Sequence, residues 1–301
     1  MILYEEILAH LEREVLAFRE RRGDKSVVFL DGLGVNAPAH LPVLAALGWG
    51  DYRVTAVSAS CVSLLLAQAH HLGLMRVSLS DFAKEWDAWN REGHGVVWGV
   101  SAIRCLWRVF ASRMGVDVKA PFSPNGFLAS FRRVVKEEML SRKLSELPAS
   151  LGFLLWDADS NQVVCAGAEH PELKEMTVAD VVCAAPAIPS VFGWHEWRGR
   201  RLGDAAVAPG LRAWVTNLRH SADWCLMCGY GPARTKDRAT WVQVVPYRWR
   251  AASFLVGMAK WCLNMRNKTV EMLCAKGAEG LGKCPNGGGR GHLDRGHFED
   301  T

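Results

Sequence analysis

Ser58 stands where an apolar, β-branched run, Val54-Thr55-Ala56-Val57, gives way to the small residues Ser58-Ala59-Ser60 and then to a helical run from Val62 to Ala69. A serine at such a strand-to-helix corner is where a nucleophile elbow would present a hydroxyl. About twenty residues earlier a unit of the same kind occurs. Val27-Val28-Phe29-Leu30 runs into Asp31-Gly32-Leu33-Gly34-Val35-Asn36, and Leu41, Val43, Leu44 and Leu47 then recur at helical spacing. Such a turn points backbone N–H groups at whatever sits above it, and the helix dipole adds to their pull on negative charge. Far along the chain, Gly203-Asp204 places a carboxylate where a strand beginning at Arg200 runs into a small-residue turn. A hydroxyl, an anion-holding turn and a carboxylate are parts for nucleophilic chemistry. Taken singly they are less specific: Ser58 would also serve as a helix cap, and the turn would also cradle a phosphate.

The elements that must position these residues follow from hydrophobic periodicity. The units at 27–48 and 54–72 are strand, turn and helix, and a helical crossover between two strands implies parallel neighbours. Leu151 to Trp156 and Gln162 to Ala166 read as a hairpin-like pair across the polar turn Asp157-Ala158-Asp159-Ser160-Asn161. Val178 to Ala185 reads as a helix ending before Pro186. Ala213 to Thr216, Trp224 to Met227 and Trp241 to Val245 read as further strands. Helices are expected at Asp81 to Trp89, Val100 to Met114 and Asn125 to Leu144, the last starting at Ser123-Pro124. Trp86, Trp89, Trp98 and Trp107 fall among them, as packing residues or as walls of an apolar pocket. A long helix is expected from Ser253 to Leu273.

At the N-terminus, residues 1–24 read as an amphipathic helix. Ile2, Leu3, Ile7, Leu8, Leu11, Val15 and Phe18 line one stripe, for packing on the domain or for a partner or membrane surface. Residues 25–275 make the main domain, and the Gly-rich stretch 276–301 has the composition of a disordered tail. Together these imply one α/β domain with a mostly parallel sheet.

Composition narrows the function classes. Half of the 301 residues are hydrophobic, enough for a sizeable core. The net charge of +5 is scattered over short runs such as Arg21-Arg22 and Arg132-Arg133, without the clustered footprint of a nucleic-acid face. Acidic residues interrupt the N-terminus and no long apolar run occurs, so a cytoplasmic protein is expected. The nine cysteines are irregularly spaced, and only Cys225 and Cys228 lie close together. Cys262, Cys274 and Cys284 offer no second pair for a zinc site, so buried free thiols are expected and no metal or cofactor. His292 and His297 in the tail are the remaining metal candidates. His70, His71 and His195 fall in no motif that demands a catalytic histidine.

In order and spacing, five stretches resemble the patatin-like phospholipases, a family of α/β acyl hydrolases. Gly32 to Leu47 is similar, without gaps, to the family's oxyanion turn and following helix, and Thr55 to Ser60 sits where its G-x-S-x-G elbow belongs. Asp157-Ala158-Asp159 resembles a characteristic strand end, Ala184 to Phe192 resembles the stretch ahead of the family's catalytic aspartate, and Gly203 to Val207 stands in for its D-G-G or D-G-A. The resemblance covers roughly residues 25 to 250. It departs from the pattern at Leu33, at Asn36 in place of a basic residue, at Ala56 and Ser60 in place of the elbow glycines, and at Ala205. If the turn required positive φ at Leu33, that leucine would cost on the order of 1 kcal/mol or more.

The resemblance implies a three-layer patatin-like fold, with a mostly parallel central sheet flanked by helices. It also implies a Ser58-Asp204 dyad without an intervening histidine, and an oxyanion hole formed by the backbone of Gly32, Leu33, Gly34 and Ala59. The substrate it implies is an acyl lipid or acyl thioester, met with peripheral membrane contact and without a cofactor. Hydrolysis, acyl transfer through the same acyl-serine, and a non-catalytic binding role remain open at this point.

Overall fold

The structure, a computed structural model, describes residues 13–18, 20, 25–48, 52–77, 125–229, 234–236 and 239–244. Residues 13–18 are helical, with Val15 and Phe18 buried and the Phe18 ring edge-on to Tyr52. The rest of the first amphipathic stripe, the helices expected at 81–89, 100–114 and 253–273, and the Gly-rich tail lie outside the described residues.

Nine strands among the described residues build one mixed sheet, mostly parallel at its centre. β1 (Ser26–Leu30) pairs in parallel with β2 (Arg53–Val57) on one side and β7 (Trp224–Gly229) on the other. β2 pairs in parallel with β3 (Leu151–Asp157), and β7 with β9 (Ala239–Gln243). β4 (Gln162–Ala166), β6 (Arg200–Asp204), β5 (His195–Trp197) and β8 (Arg234–Lys236) add antiparallel pairs. The order reverses at β1: the chain moves outward through β2 and β3, then returns to β1's other side through β7. In such sheets ligands bind beyond the carboxyl ends of the strands at the reversal. Asp31-Gly32 and Ser58 lie just past the carboxyl ends of β1 and β2.

The two strand-turn-helix units form as their periodicity predicts. β1 is followed by a 3₁₀ turn, Gly34–Ala39, and α1 (His40–Leu47). β2 is followed by α2 (Ser60–His71), whose first ten residues are all buried. Both strands are buried along nearly their whole length, as central parallel strands must be, so they read as continuous apolar runs. One apolar cluster joins α1, α2 and one sheet face with Phe127, Phe131, Val181 and Val182. A second, on the other face, gathers Phe29, Leu154 and Met227 under α7 (Leu211–Ser221).

Two expectations need correction. The helix expected from Asn125 to Leu144 is two helices, α3 (Asn125–Val134) and α4 (Glu137–Ser141). Val135 bridges to Met75 and Lys136 is extended, so the chain leaves the helix there to pair with the end of α2's loop. Residues Ala213 to Thr216, expected as a strand, lie inside α7. The local run Trp214-Val215-Thr216 favours a strand. The longer pattern Leu211, Trp214, Val215, Leu218 is a helical stripe packed on the second cluster, and the tertiary contact decides. The remaining short elements are α5 (Val178–Ala184), capped by a Thr177–Asp180 box, and α6 (Pro189–Phe192).

Candidate active site

The register of β3 brings the candidate dyad together. β4 pairs with Phe153 to Asp157 along one edge of β3. β2 pairs with Leu151 to Leu154 and β6 with Leu155 to Asp157, and each overlaps β4's stretch, so both must share the opposite edge. β2 runs parallel to β3 and ends opposite Leu154. β6 runs antiparallel and ends opposite Leu155. The two strands therefore meet head to head, and the first residue past β2 faces the last residue of β6. Ser58 Oγ donates a 2.7 Å hydrogen bond to Asp204 Oδ2.

Ser58 has φ of +60°, the left-handed backbone of a strained elbow. Ala56 before it is fully buried, and Ser60 after it opens α2. Asp204 is 2 % exposed, and burial pushes its carboxyl up from the ordinary 3.8 to about 6, against the pull of the Ser58 hydroxyl and the Ala206 N–H. The Ala206 N–H bonds Oδ1 at 2.8 Å, which leaves Oδ2 to the serine.

The stretch ahead of Asp204 explains its own residue types. The Asp204 N–H donates to the Ala187 carbonyl at 2.9 Å, so the Ala187-Ile188-Pro189 turn pins the end of β6. Gly203 is packed between that carbonyl and Trp194. A β-carbon there would lie 3.0 Å from two ring carbons and 3.1 Å from Ala187 O. At the other end of β6, Arg200 ion-pairs with Asp157, which is 1 % exposed, and with Glu172. Burial works to raise the Asp157 carboxyl, but the Arg200 hydrogen bonds and the Asp159 and Ser160 N–H groups hold it below the ordinary carboxylate range. Asp159 takes both the backbone N–H and the Nε of Arg201, at 3.0 Å each. The Asp157-Ala158-Asp159 turn thus clamps the start of β6 onto β3 and sets the register that delivers Asp204.

The glycine-bearing turn sits against the elbow. A β-carbon on Gly32 would lie 3.2 Å from Ser58 Cβ and 3.5 Å from Ala206 Cβ, so the close approach favours glycine. Leu33 adopts φ −101°, ψ 0°, and is 1 % exposed. The turn does not need positive φ there, and the leucine serves as a core anchor without backbone strain. The Gly32 N–H donates to Asp31 Oδ1 at 2.8 Å. The Ala59 N–H has no hydrogen-bond acceptor among the described residues. Gly34 begins the 3₁₀ turn. The Asp31 carbonyl accepts from Ser60 Oγ at 2.7 Å and from His40 Nε2 at 3.0 Å. Burial lowers the His40 pKa to about 4, so its ring is neutral, and its Nδ1 is buried without a partner among the described residues. Gly229 closes the far side, since a β-carbon on it would lie 3.0 Å from Asp31 Oδ2.

Among the described residues, none of the other candidates has a side chain hydrogen-bonded to Ser58 Oγ or to the Asp204 carboxylate, though the Cys61 N–H donates to the Ser58 carbonyl at 3.0 Å. Cys225 and Cys228 belong to opposite apolar clusters on the two faces of β7 and do not form a ligand pair. Cys61 and Cys183 are also buried free thiols, as expected. His195 pairs with Asp180 at 3.2 Å, and His70 and His71 end α2. Among the described residues no cluster could hold a metal ion, and no helix is long and apolar enough to cross a membrane. A cavity of about 560 Å³ opens at the opposite, amino-terminal ends of β2 and β3, between Val54, Gln68, Arg142 and Ser150. No protein-family model matches the chain, and no curated protein matches it.

Three participants were not singled out from sequence. His40 lies amid apolar helix residues, Arg200 in a basic run, and Ser60 looked like a missing glycine. Each acts through a partner more than eight residues away, which no local pattern encodes.

Proposed function

We propose that the protein is a serine acyl hydrolase of patatin-like type, acting on ester or thioester bonds of acyl substrates. The observation that carries this reading is the 2.7 Å bond from Ser58 Oγ to Asp204 Oδ2, made by a buried carboxylate to a serine held at φ +60°. Ser58 Oγ attacks the acyl carbonyl carbon as its proton passes to Asp204 Oδ2. The Ala59 and Gly34 N–H groups receive the negative charge that develops on the carbonyl oxygen, while the Gly32 N–H, expected to join them, is turned onto Asp31 Oδ1. Asp204 then gives its proton to the leaving group, and the acyl chain remains on Ser58. A water molecule gives a proton to Asp204 and attacks the acyl carbon, the bond to Ser58 Oγ breaks, and Asp204 returns that proton to Oγ as the acid leaves. A base with a pKa of about 6 suits this role, being ionised at neutral pH while still basic enough to take the proton.

A fluorophosphonate probe tests the reading. Ser58 is expected to be the labelled residue by mass spectrometry, with Ser58→Ala and Asp204→Asn each abolishing labelling and the hydrolysis of acyl esters. Wild-type protein that is folded, unlabelled and inactive on short and long acyl esters would refute it.

A further inference from the structure

Ser60 and His40 meet at one atom. The carbonyl oxygen of Asp31 accepts from Ser60 Oγ at 2.7 Å and from His40 Nε2 at 3.0 Å, so both its lone pairs are used. A carbonyl only accepts, so the neutral imidazole must carry its proton on Nε2. In a trans peptide the C=O and the following N–H point in opposite directions. Anchoring the Asp31 carbonyl from two sides therefore sets the direction of the Gly32 N–H, which is turned onto Asp31 Oδ1 at 2.8 Å. The same anchoring sets the angle at which the chain enters Leu33 and Gly34.

We propose that Ser60 and His40 are positioning residues that lock the Asp31-Gly32 peptide plane and so hold the glycine-bearing turn in register with the Ser58 elbow. The inference rests on the acyl-hydrolase reading of Ser58 for its catalytic consequence, though not for its geometry. Ser60 is the first residue of α2, only two residues from Ser58, and its hydroxyl crosses to the end of β1 instead of capping its own helix, whose N-cap Ala59 has no side-chain bond. It thereby ties the two turns directly to each other. His40 is fully buried at the start of α1 with Nδ1 unpartnered among the described residues. An apolar ring would fill that space without stranding a nitrogen, so the bond from Nε2 is what the imidazole contributes. The close approach of Gly32 to Ser58 leaves the turn little tolerance for rotation.

The test uses the full chain with Ser60→Ala, His40→Phe, their combination, and His40→Gln, whose amide N–H restores a donor. In the double variant the peptide is free to turn, and Gly32 amide hydrogen exchange, read by NMR, should speed up about fivefold or more. The rate of Ser58 phosphonylation should fall about tenfold, with its pH midpoint unchanged because Asp204 is untouched. His40→Gln should recover most of the rate lost in His40→Phe. Ser60→Ala removes only a hydroxyl and keeps the test valid if His40→Phe does not fold. Unchanged Gly32 exchange in folded variants would overturn the inference, as would an unchanged labelling rate in a wild-type background that labels. If wild-type protein does not label but Gly32 exchange responds, the positioning stands and the acyl-hydrolase reading falls.

Discussion

Replacing Asp204 by asparagine should make the protein more stable at neutral pH, and by an amount that depends on pH in one direction. Burial raises this carboxyl from 3.8 to about 6, a shift of about two units, worth roughly 3 kcal/mol between its two protonation states. In the unfolded chain the group ionises from about pH 4, while in the folded chain it holds its proton until about pH 6. Between those values the folded state binds more protons, so stability falls as pH rises, and the full cost of about 3 kcal/mol is present by pH 7. Asparagine keeps the shape, can accept from the Ala206 N–H, and carries no charge to desolvate. Urea unfolding of wild type and Asp204→Asn, followed by tryptophan fluorescence from pH 3.5 to 7.5, isolates this group, because the other titrations are common to both. The difference in unfolding free energy, variant minus wild type, should climb by about 3 kcal/mol across that range. Whatever constant offset the amide introduces does not affect the slope. A flat difference curve would refute the reasoning and remove the basis for treating Asp204 as a tuned base. The kinetic counterpart is a phosphonylation rate that falls as pH drops through about 6, where the carboxylate takes up its proton.

Ser58 at φ +60° stores backbone strain, so Ser58→Gly should be about 1 kcal/mol more stable than Ser58→Ala in thermal unfolding. Equal stabilities would argue against a left-handed elbow. Removing the cation from the buried Asp157 by Arg200→Met should cost about 2 to 4 kcal/mol in urea, and adding Asp157→Asn should recover much of it. Because the Asp157 carboxyl is held low by Arg200, wild type should also lose this stabilisation as pH falls below the ordinary carboxylate range, whereas Arg200→Met should not. Gly203→Ala drives a methyl to 3.0 Å from the Trp194 ring and should cost about 1 to 3 kcal/mol while slowing phosphonylation of Ser58, both measurable on one preparation.

Where local periodicity and local turn chemistry agree, the elements are legible in the residues alone. β1, β2 and their helices, the β3–β4 hairpin and β6 with its small-residue turn all form where the pattern puts them. The elbow and the carboxylate were legible as residue types at strand ends. Their meeting was not, because it depends on β2 and β6 sharing one edge of β3, and that register is fixed by pairs such as Arg200 with Asp157 across more than forty residues of chain. The same limit explains the errors. Ala213 to Thr216 has strand-forming residue types, but its helical stripe gains more by packing on the sheet. The helix expected to Leu144 ends at Val134 because Val135 and Lys136 bond to the loop after α2. No local signal marks that contact.

The missing glycines are better understood from where the backbone is strained than from how many are absent. A tight turn needs glycine at positions of positive φ or of close approach. In the glycine-bearing turn, the close approach falls on Gly32, which is glycine, while Leu33 has ordinary negative φ and serves as a buried anchor. At the elbow the positive φ falls on Ser58 itself, not on Ala56 or Ser60, so the flanking positions need only be small. Serine is small, and at position 60 its hydroxyl supplies a bond between the two turns that glycine could not make. The substitutions that most weaken the sequence pattern therefore fall where this backbone tolerates a side chain. At Gly32 and Gly203, where an added β-carbon would press 3.2 Å and 3.0 Å from its neighbours, the residue is glycine. An elbow built this way places the backbone strain on Ser58 itself, the residue proposed to react, and the hydroxyl held there is the donor that satisfies the buried Asp204 carboxylate.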